Sequence, residues 1–525
     1  MKPGKKDERR LSRRDFVKGT TVGAGAAALV GLGPRQATPA DASEPAQQEV
    51  RDCDIAVVGL GISGLVAALH ATELGAKVVA LDKAPPGDWI GGNFILSGQS
   101  AHVALKGLNN SLDTLVEAIE KATGGTAPAD LARTYCTHAP RLYKWFQDHG
   151  IEIQQLGEGP SMILPLKKRP WSMGPWKEVN RPGGPYDFRK SGGYKAAKHL
   201  ESLLEQAGAT ILYETAAHRL IIDEKGEVNG LVVKRPDGIH TLDSHNIILC
   251  TGGFPFNQEM VSRYIGPRAG SWVASGTPFN TGDGHRMALE VGAAMRNMNS
   301  FYATIEPLEA LKDPGLRMSF SMWGSRGTHG IVVNERGERF VDESWGRHGI
   351  SHVMAKETRL NIRFLIVFDR TVYEESKELL DGLSGFGVTI HQAGSVEELI
   401  EKTGVSPYLA TTLKEYNQAI ETGTVHELPV PKTAMVRTMS SPPYFGIWCM
   451  PGTPYTHGGP QINGNAEIVD LDGRVIPGLY GAGDIVSGNL SGGEENRFGS
   501  YCGGISGAIW GLLAAEHSRE RTQKA

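Results

Sequence analysis

Cysteine is scarce in this chain of 525 residues: Cys53, Cys136, Cys250, Cys449 and Cys502 are scattered, and no two of them form a CxxC pair. That excludes a CxxCH site for c-type haem and the spacing of an iron–sulfur cluster, so the chain carries no metal electron wire of its own. An odd count also leaves at least one thiol outside any disulfide, and buried, inert thiols are the expectation for all five. Charge of one sign is lacking too. Lys plus Arg total 54 and Asp plus Glu 58, a balance that offers no basic domain for nucleic acid. The sequence has no internal repeat, low-complexity tract or long block of like charge. The apolar stretch at 21–33, TVGAGAAALVGLG, is too short and too rich in Gly and Ala to span a bilayer, which takes about 20 apolar residues.

That stretch has a context of its own. Lys2, Lys5, Lys6, Arg9, Arg10, Arg13 and Arg14 precede it, and the small-residue site Ala40-Asp41-Ala42 follows it. Paired arginines, apolar run and A-x-A site in that order look like a twin-arginine signal over residues 1–42. The alternative is a disordered basic tail. The signal reading predicts export through the twin-arginine machinery to the periplasm, or to the outer face of the cytoplasmic membrane, and it removes residues 1–42 from fold reasoning. Roughly 480 residues remain, enough for two or three domains and a substantial core.

After a polar linker, SEPAQQEVRD, the chain reads CDIAVVGLGISGLVAALHATELGAKVVALDK. The apolar run 54–58 has the length of a buried parallel strand and enters Gly59-x-Gly61-x-x-Gly64. Leu65, Ala68, Leu69 and Leu74 recur at helical spacing, and a second strand over 77–81 ends in Asp82, 23 residues beyond Gly59. Each part has a physical role. Gly59 permits a tight turn, Gly61 lets the backbone approach a pyrophosphate, and Gly64 lets helix and strand pack closely. The helix N-terminus offers unpaired N–H groups to phosphates, and Asp82 can accept from a ribose hydroxyl. Two later stretches favour FAD over NAD: NIILCTGG at 246–253, and VIPGLYGAGD at 475–484. They put a returning piece of chain beside the first cradle. A fold that closes around a cytoplasmic dinucleotide also explains export in the folded state.

The segments GLGISG, WIGGNFILSGQSA, SGGYKAAKHL, TGGF, NTGDGHRMALEVGA, RGTHGIVVNERGERFVDE and GLYGAGD occur in one order. Together they resemble the FAD-dependent superfamily of soluble fumarate reductase, the succinate dehydrogenase flavoprotein, 3-ketosteroid dehydrogenases and tricarballylate dehydrogenase-like oxidoreductases, over about nine tenths of the chain. The resemblance implies an α/β fold: a Rossmann-like FAD-binding domain, a parallel sheet with helices, built from 50–300 and 454–525, with an inserted α+β capping domain at 301–453. It implies FAD held by Gly59, Gly61, Gly64, Asp82, Lys83, Gly92, Asn93, Ser97, Gly98, Thr251, Gly252, Gly253, Asp283, Gly483 and Asp484. The motif whose histidine bonds covalently to flavin is not reproduced around Ser100-Ala101-His102, so non-covalent FAD is expected, with His102 a candidate for the flavin edge.

The family chemistry is hydride transfer between flavin N5 and one carbon of a C–C bond beside a carbonyl or carboxylate, with a proton moved at the neighbouring carbon. The family's proton donor is an arginine thirteen residues after the Asn of VN-x-x-G-x-RF; from Asn334 that position is Arg347. The upstream relay arginine matches Arg326, while the relay glutamate is replaced by Trp323. Thr304 and Tyr455 stand near the family's two carboxylate-binding histidines, with His457 two residues beyond Tyr455, and Arg497 resembles the last clamp arginine. The loss of the two clamp histidines favours a substrate with one polar head, held by Arg497, Tyr455 and His457, over fumarate or succinate. Phe301, Tyr302, Trp323 and Trp345 are available to line a pocket for an apolar body. Tyr302 and Tyr455 also fit the base and enolisation donor of a ketosteroid or cyclic-ketone 1,2-dehydrogenase, the second enzyme reading. A non-catalytic electron-carrying flavoprotein is the third. The expected partners are a small enoate, enone or saturated counterpart and a separate redox partner that the sequence does not name. His329, His348 and His352 show no metal-ligand arrangement, and Glu494-Glu495 reads as a solvated loop.

Overall fold

Strands with parallel neighbours on both sides bury both faces and so tolerate apolar residues at every position. In the computed structural model, which describes residues 48–87, 89–96, 100–101, 111–155, 171–172, 188–317, 329–358, 363–491 and 504–524, the first of two large sheets is built on such strands. The expected export signal, Ser97, Gly98, His102, Trp323, Arg326, Arg497, Glu494, Glu495 and Cys502 lie outside the described residues, as do the side chains of Arg347 and His348.

Along the chain, β1 (Gln48–Val58) leads into α1 (Ile62–Glu73) and β2 (Val78–Leu81), and β3 (Thr210–Leu212) joins the far edge of β2. A meander of β4 (Ala216–Ile222) and β5 (Val228–Arg235) then brings in β6 (Gly238–Leu249). β1 pairs in parallel with both β2 and β6. The strand at 54–58 therefore begins earlier than its apolar pattern indicates: 48–53 also pair with β6, with a register shift between Glu49 and Arg51. The part of the linker that joins the sheet is recruited by backbone groups of a long neighbour, which side-chain alternation does not encode.

The second sheet follows. It comprises β7 (Val273–Ala274), then, after α2 (Asp283–Glu290), β8 (Phe301–Pro307), β9 (Ile331–Val333), and, after α3 (Gly346–Glu357), β10 (Phe364–Asp369), β11 (His391–Ala393) and β12 (Tyr444–Thr456). β12 is its spine, antiparallel to β8, β10 and β11 and parallel to β7. All six residues of β10 are buried. β12 runs through position 453 without a break, and Phe254, Val261 and Trp272 pack in the core of this sheet although they precede position 301. The chain then returns to the first sheet as β13 (Glu467–Val469) and β14 (Val475–Gly481), the latter parallel to β6. α4 (Gly504–Lys524) closes over α1 so tightly that a Cβ on Gly511 would sit 2.6 Å from the Ser63 carbonyl oxygen. The result is a mixed α/β fold whose parallel sheet places the 247–249 and 479–481 strand ends side by side.

Cys53, Cys136, Cys250 and Cys449 are buried free thiols, and burial pushes Cys53 up to about 11 and Cys136 up to about 12. Such thiols stay protonated and inert at neutral pH. Among the described residues no helix is long and apolar enough to cross a membrane.

Candidate active site

The three glycines after β1 divide their work by what surrounds them. Gly59 has φ 97°, and a Cβ there would lie 2.5 Å from the Cys250 carbonyl oxygen. At Gly64 a Cβ would lie 1.9 Å from the Gly59 carbonyl oxygen, so α1 sits against its own entry loop. A Cβ on Gly61 would meet nothing nearer than 3.9 Å, and this residue caps α1 with no side-chain hydrogen bond. The first turn of α1 thus keeps backbone donors for a ligand.

A cleft of about 850 Å³, part of it open to solvent, lies there. Of the residues expected to hold FAD, Gly59, Gly61, Asp82, Lys83, Gly92, Asn93, Thr251, Gly252, Asp283, Gly483 and Asp484 line it. Gly64 stands behind the loop, and Gly253 backs onto Thr456, whose Oγ1 would be 2.4 Å from a Cβ placed there. Ser63, Trp89 and Asn280, within the quoted motifs, line the cleft as well, as do Thr215, Thr277 and Phe279, which lie outside them.

Two lining residues do more than the sequence indicates. Asp82 accepts backbone N–H groups from Leu60 (2.7 Å) and Ala84 (2.8 Å), which ties the glycine loop to the end of β2. Each carboxylate oxygen can take a second donor, so a ribose contact would add to this structural role. Burial pushes the Asp82 carboxyl up, and those two hydrogen bonds oppose the shift. Asn93 accepts from the Thr277 N–H (2.7 Å) and donates to the Pro454 carbonyl (2.8 Å), so its amide links three separated stretches of chain. Lys83 is paired with Asp283 (2.6 Å) and also donates to Thr281. Thr251 Oγ1 is buried with no hydrogen-bond partner among the described residues. An uncapped helix start, a cleft lined by the expected glycines, a Gly61 with no close neighbour and an orphaned hydroxyl fit a dinucleotide. Lys83→Met is expected to weaken FAD binding about tenfold, one charge-assisted contact, while the melting temperature of the apoprotein moves by less than about 2 °C, since this half-exposed pair contributes little to stability. Fluorescence titration with FAD and a thermal melt check both.

Beyond Asn93, β8 and β12 bring the substrate-side residues together. Tyr302 and Tyr455 are register partners, with ring centroids 5.7 Å apart in edge-to-face geometry. Tyr455 Oη donates to the Asn93 carbonyl at 3.3 Å, which joins the tyrosine pair to the cleft wall. Thr304 turns away. A register shift separates it from Tyr302, and its hydroxyl, 1% exposed, donates to Glu306 at 2.8 Å. It therefore does not take over a histidine's clamp role. Phe301 packs between Trp272 (5.3 Å) and His352 (4.9 Å), and Trp345 is 41% exposed.

These observations match a known pattern. A family model described as FAD binding domain fits residues 54–497. The chain belongs to that FAD-binding family. Fumarate reductase (cytochrome) of Shewanella frigidimarina is 28% identical over 484 residues, covering 90% of this chain and 78% of the relative. Digoxin reductase of Eggerthella lenta is 27% identical over 570 aligned residues, 97% of each chain. Among solved structures, 3-ketosteroid delta1-dehydrogenase from Sterolibacterium denitrificans superposes with a TM-score of 0.74 at 20% identity, over 90% of this chain and 100% of that one. Like these relatives, this member of the FAD-binding family is an FAD-dependent oxidoreductase acting on C=C or CH–CH bonds.

His457 is 3% exposed, and neither ring nitrogen has a hydrogen-bond partner among the described residues. Burial pulls its pKa down to about 3, with a smaller push from the charge of His352. In this flavoprotein it is a neutral imidazole, able to give or take a hydrogen bond but not to serve as a stored proton. His285 is similar: it is fully buried, its Nε2 lies 2.8 Å from the Gly458 carbonyl, and burial lowers it to about 4. His329 lies 3.3 Å from Glu375. A histidine with a folded pKa below its unfolded value of about 6.5 leaves the unfolded chain holding more protons between those values, so stability falls as pH drops through that window. His457→Leu is expected to reduce the wild-type loss of melting temperature between pH 7 and pH 5 by about 2 °C, read by scanning calorimetry of both proteins.

Proposed function

We propose that this enzyme adds or removes hydrogen across a C–C bond α,β to a carboxylate or carbonyl. The observation that carries the reading is the Tyr302–Tyr455 pair, whose Tyr455 hydroxyl reaches the carbonyl of a cleft-lining residue. A phenol so placed beside the cofactor cleft suits a carbonyl oxygen whose charge grows during reaction, once its one proton turns from the Asn93 carbonyl to the substrate. Bound FAD, held without a covalent link, supplies two-electron hydride chemistry at its N5. The chain's own part is to hold the substrate and move one proton. Tyr455 and neutral His457 offer hydrogen bonds to a polar head, with Arg497 as a bidentate carboxylate partner. Arg347, the second residue of α3, stands at the family's proton-donor position with Arg326 upstream. Tyr455 in place of one clamp histidine, and Thr304, directed at Glu306, in place of the other, argue for a monofunctional head group rather than a dicarboxylate.

Photoreduced protein mixed anaerobically with a panel of enoates and enones is expected to be reoxidised within seconds by one class, followed in flavin absorbance. A panel that reoxidises nothing, with saturated counterparts that do not bleach the oxidised enzyme, overturns the reading. The same tyrosine pair supports a second one, a cyclic-ketone 1,2-dehydrogenase that uses Tyr302 and Tyr455 in place of Arg347. Electrons would be exchanged with a separate redox partner. The paired Arg13-Arg14, the apolar run and the Ala40-Asp41-Ala42 site support export by the twin-arginine route.

A further inference from the structure

Lysine is almost never fully buried unless it is paired, yet the Lys432 side chain is 0% exposed. Its ammonium donates to the Gly330 carbonyl at 2.6 Å, at the leading end of β9, and lies 4.0 Å from Glu343 Oε2. Glu343 is equally buried. It accepts from the Val332 N–H (3.0 Å) and is gripped by Arg339 through Nε (3.0 Å) and Nη2 (2.6 Å). Arg339 reaches on to the Val430 carbonyl at 2.6 Å. Next along the turn, Asp342 accepts from Ser344 N–H (2.9 Å) and from Thr433 N–H (3.2 Å) and Oγ1 (2.7 Å). The segment 430–433 is therefore clamped along the turn 342–344, which launches α3 and its second residue, Arg347.

Two cations and two carboxylates make this cluster neutral, and the Tyr416 ring lies 5.1 Å from the Arg339 guanidinium and 5.8 Å from the Lys432 ammonium. Buried ionic clusters of this kind add little net stability compared with well-packed apolar residues; they are useful in selecting one arrangement. Resting on the reading of Arg347 as proton donor, we infer that Lys432 is a positioning residue for proton delivery: its ammonium, bridging β9 and Glu343, sets the backbone position at the start of α3, where Arg347 is the second residue. Removing the lysine leaves a buried carboxylate in excess and frees the turn to shift, and a displacement of about 1 Å costs on the order of 100-fold in rate.

The groups facing Lys432 give the inference a pH signature. Burial lowers its pKa most, Glu343 and Asp342 raise it, Arg339 and Arg437 lower it, and the outcome is about 8. Between that value and the unfolded pKa of about 10.4 the unfolded chain holds more protons, so the lysine's contribution to stability grows with pH. Turnover that needs the charged lysine falls over the same range. A merely structural lysine would not send the two in opposite directions.

The experiment uses the FAD-loaded enzyme, reduced anaerobically and mixed with the enoate or enone that reoxidises it best. Wild type, Lys432→Met, Arg347→Lys and the double variant are compared for reoxidation rate, flavin content and pH profile. Lys432→Met is expected to keep its flavin, to change KM by less than about threefold, to slow reoxidation about 30-fold to 100-fold, and to add nothing in the Arg347→Lys background. If Arg347→Lys is slow and Lys432→Met runs at the wild-type rate, or if their effects multiply, the positioning role is wrong and the proton-donor reading stands. If Arg347→Lys itself runs at the wild-type rate, the proton-donor reading fails first. Should Lys432→Met not fold, the wild-type profile decides: a fall in turnover approaching tenfold per pH unit above about 8 supports the inference, and a flat profile to pH 9.5 overturns it.

Discussion

Gly64→Ala is expected to yield a protein that melts at least about 3 °C lower than wild type and retains no flavin, whereas Gly61→Ala should fold normally and lose only the flavin. Helix propensity alone points the other way, since alanine is better than glycine inside a helix by about 1 kcal/mol. The decisive quantity is space. A Cβ on Gly64 would lie 1.9 Å from the Gly59 carbonyl oxygen and 3.2 Å from the Cys250 Cβ, so α1 must move off β1 and β6; overpacking of that kind costs about 1–3 kcal/mol or more. At Gly61 φ is −61°, which any L-residue adopts, and the nearest atom to an added Cβ is 3.9 Å away. The methyl group would instead occupy the approach to the α1 N-terminus, where a pyrophosphate needs direct contact with backbone N–H groups. Affinity for FAD should drop at least about 100-fold, close to 3 kcal/mol. Thermal melts with and without added FAD separate the two cases: wild type is raised by the ligand, Gly61→Ala melts like the wild-type apoprotein and is not raised, and Gly64→Ala starts low. Flavin retained by both variants would remove the cradle assignment.

The same contrast shows which parts of this molecule are readable from residues in order. The cradle is a local object: strand, turn, helix and Asp82 lie within some thirty residues, so spacing alone reports it. The expectation that 475–484 returns beside 246–253 rests on strand pattern and glycine clusters, and β14 does pair with β6. What the sequence leaves hidden depends on partners far along the chain. Asn93 looks like one polar residue in WIGGNFILSGQSA, yet its amide is used on Thr277 and Pro454. Thr304 differs from the site-facing Tyr302 through a single register shift in β8, which no side-chain pattern announces. Lys432 sits in an ordinary-looking VPKTA, and only the meeting of β9 with the turn before α3 reveals why a lysine is buried there. Trp345 reads as pocket material by residue type but is exposed, because apolar character constrains burial only on average.

The largest effect on chemistry is expected at Arg347. Arg347→Lys should keep flavin and fold, and lower the rate of substrate-dependent reoxidation by about 10³, within the 10²–10⁴ that a positioned acid supplies. A guanidinium has a pKa above 12, so it delivers a proton only where it is desolvated and promptly reprotonated. Lysine keeps the charge but replaces a planar, bidentate group by a compact ammonium on a flexible stem. Tyr455→Phe separates the two enzyme readings because the Tyr455 hydroxyl is held by the Asn93 carbonyl at 3.3 Å and its ring packs edge-on to Tyr302. If Tyr455 only polarises the head group, its loss should cost about tenfold in turnover, the magnitude of one hydrogen bond. If it is the enolisation donor of a cyclic-ketone dehydrogenase, Tyr455→Phe should be nearly inactive and Arg347→Lys close to wild type. Both variants keep the aliphatic or aromatic body of the side chain, so retained flavin absorbance certifies the cleft, and the two rates then assign the proton to the helix or to the strand.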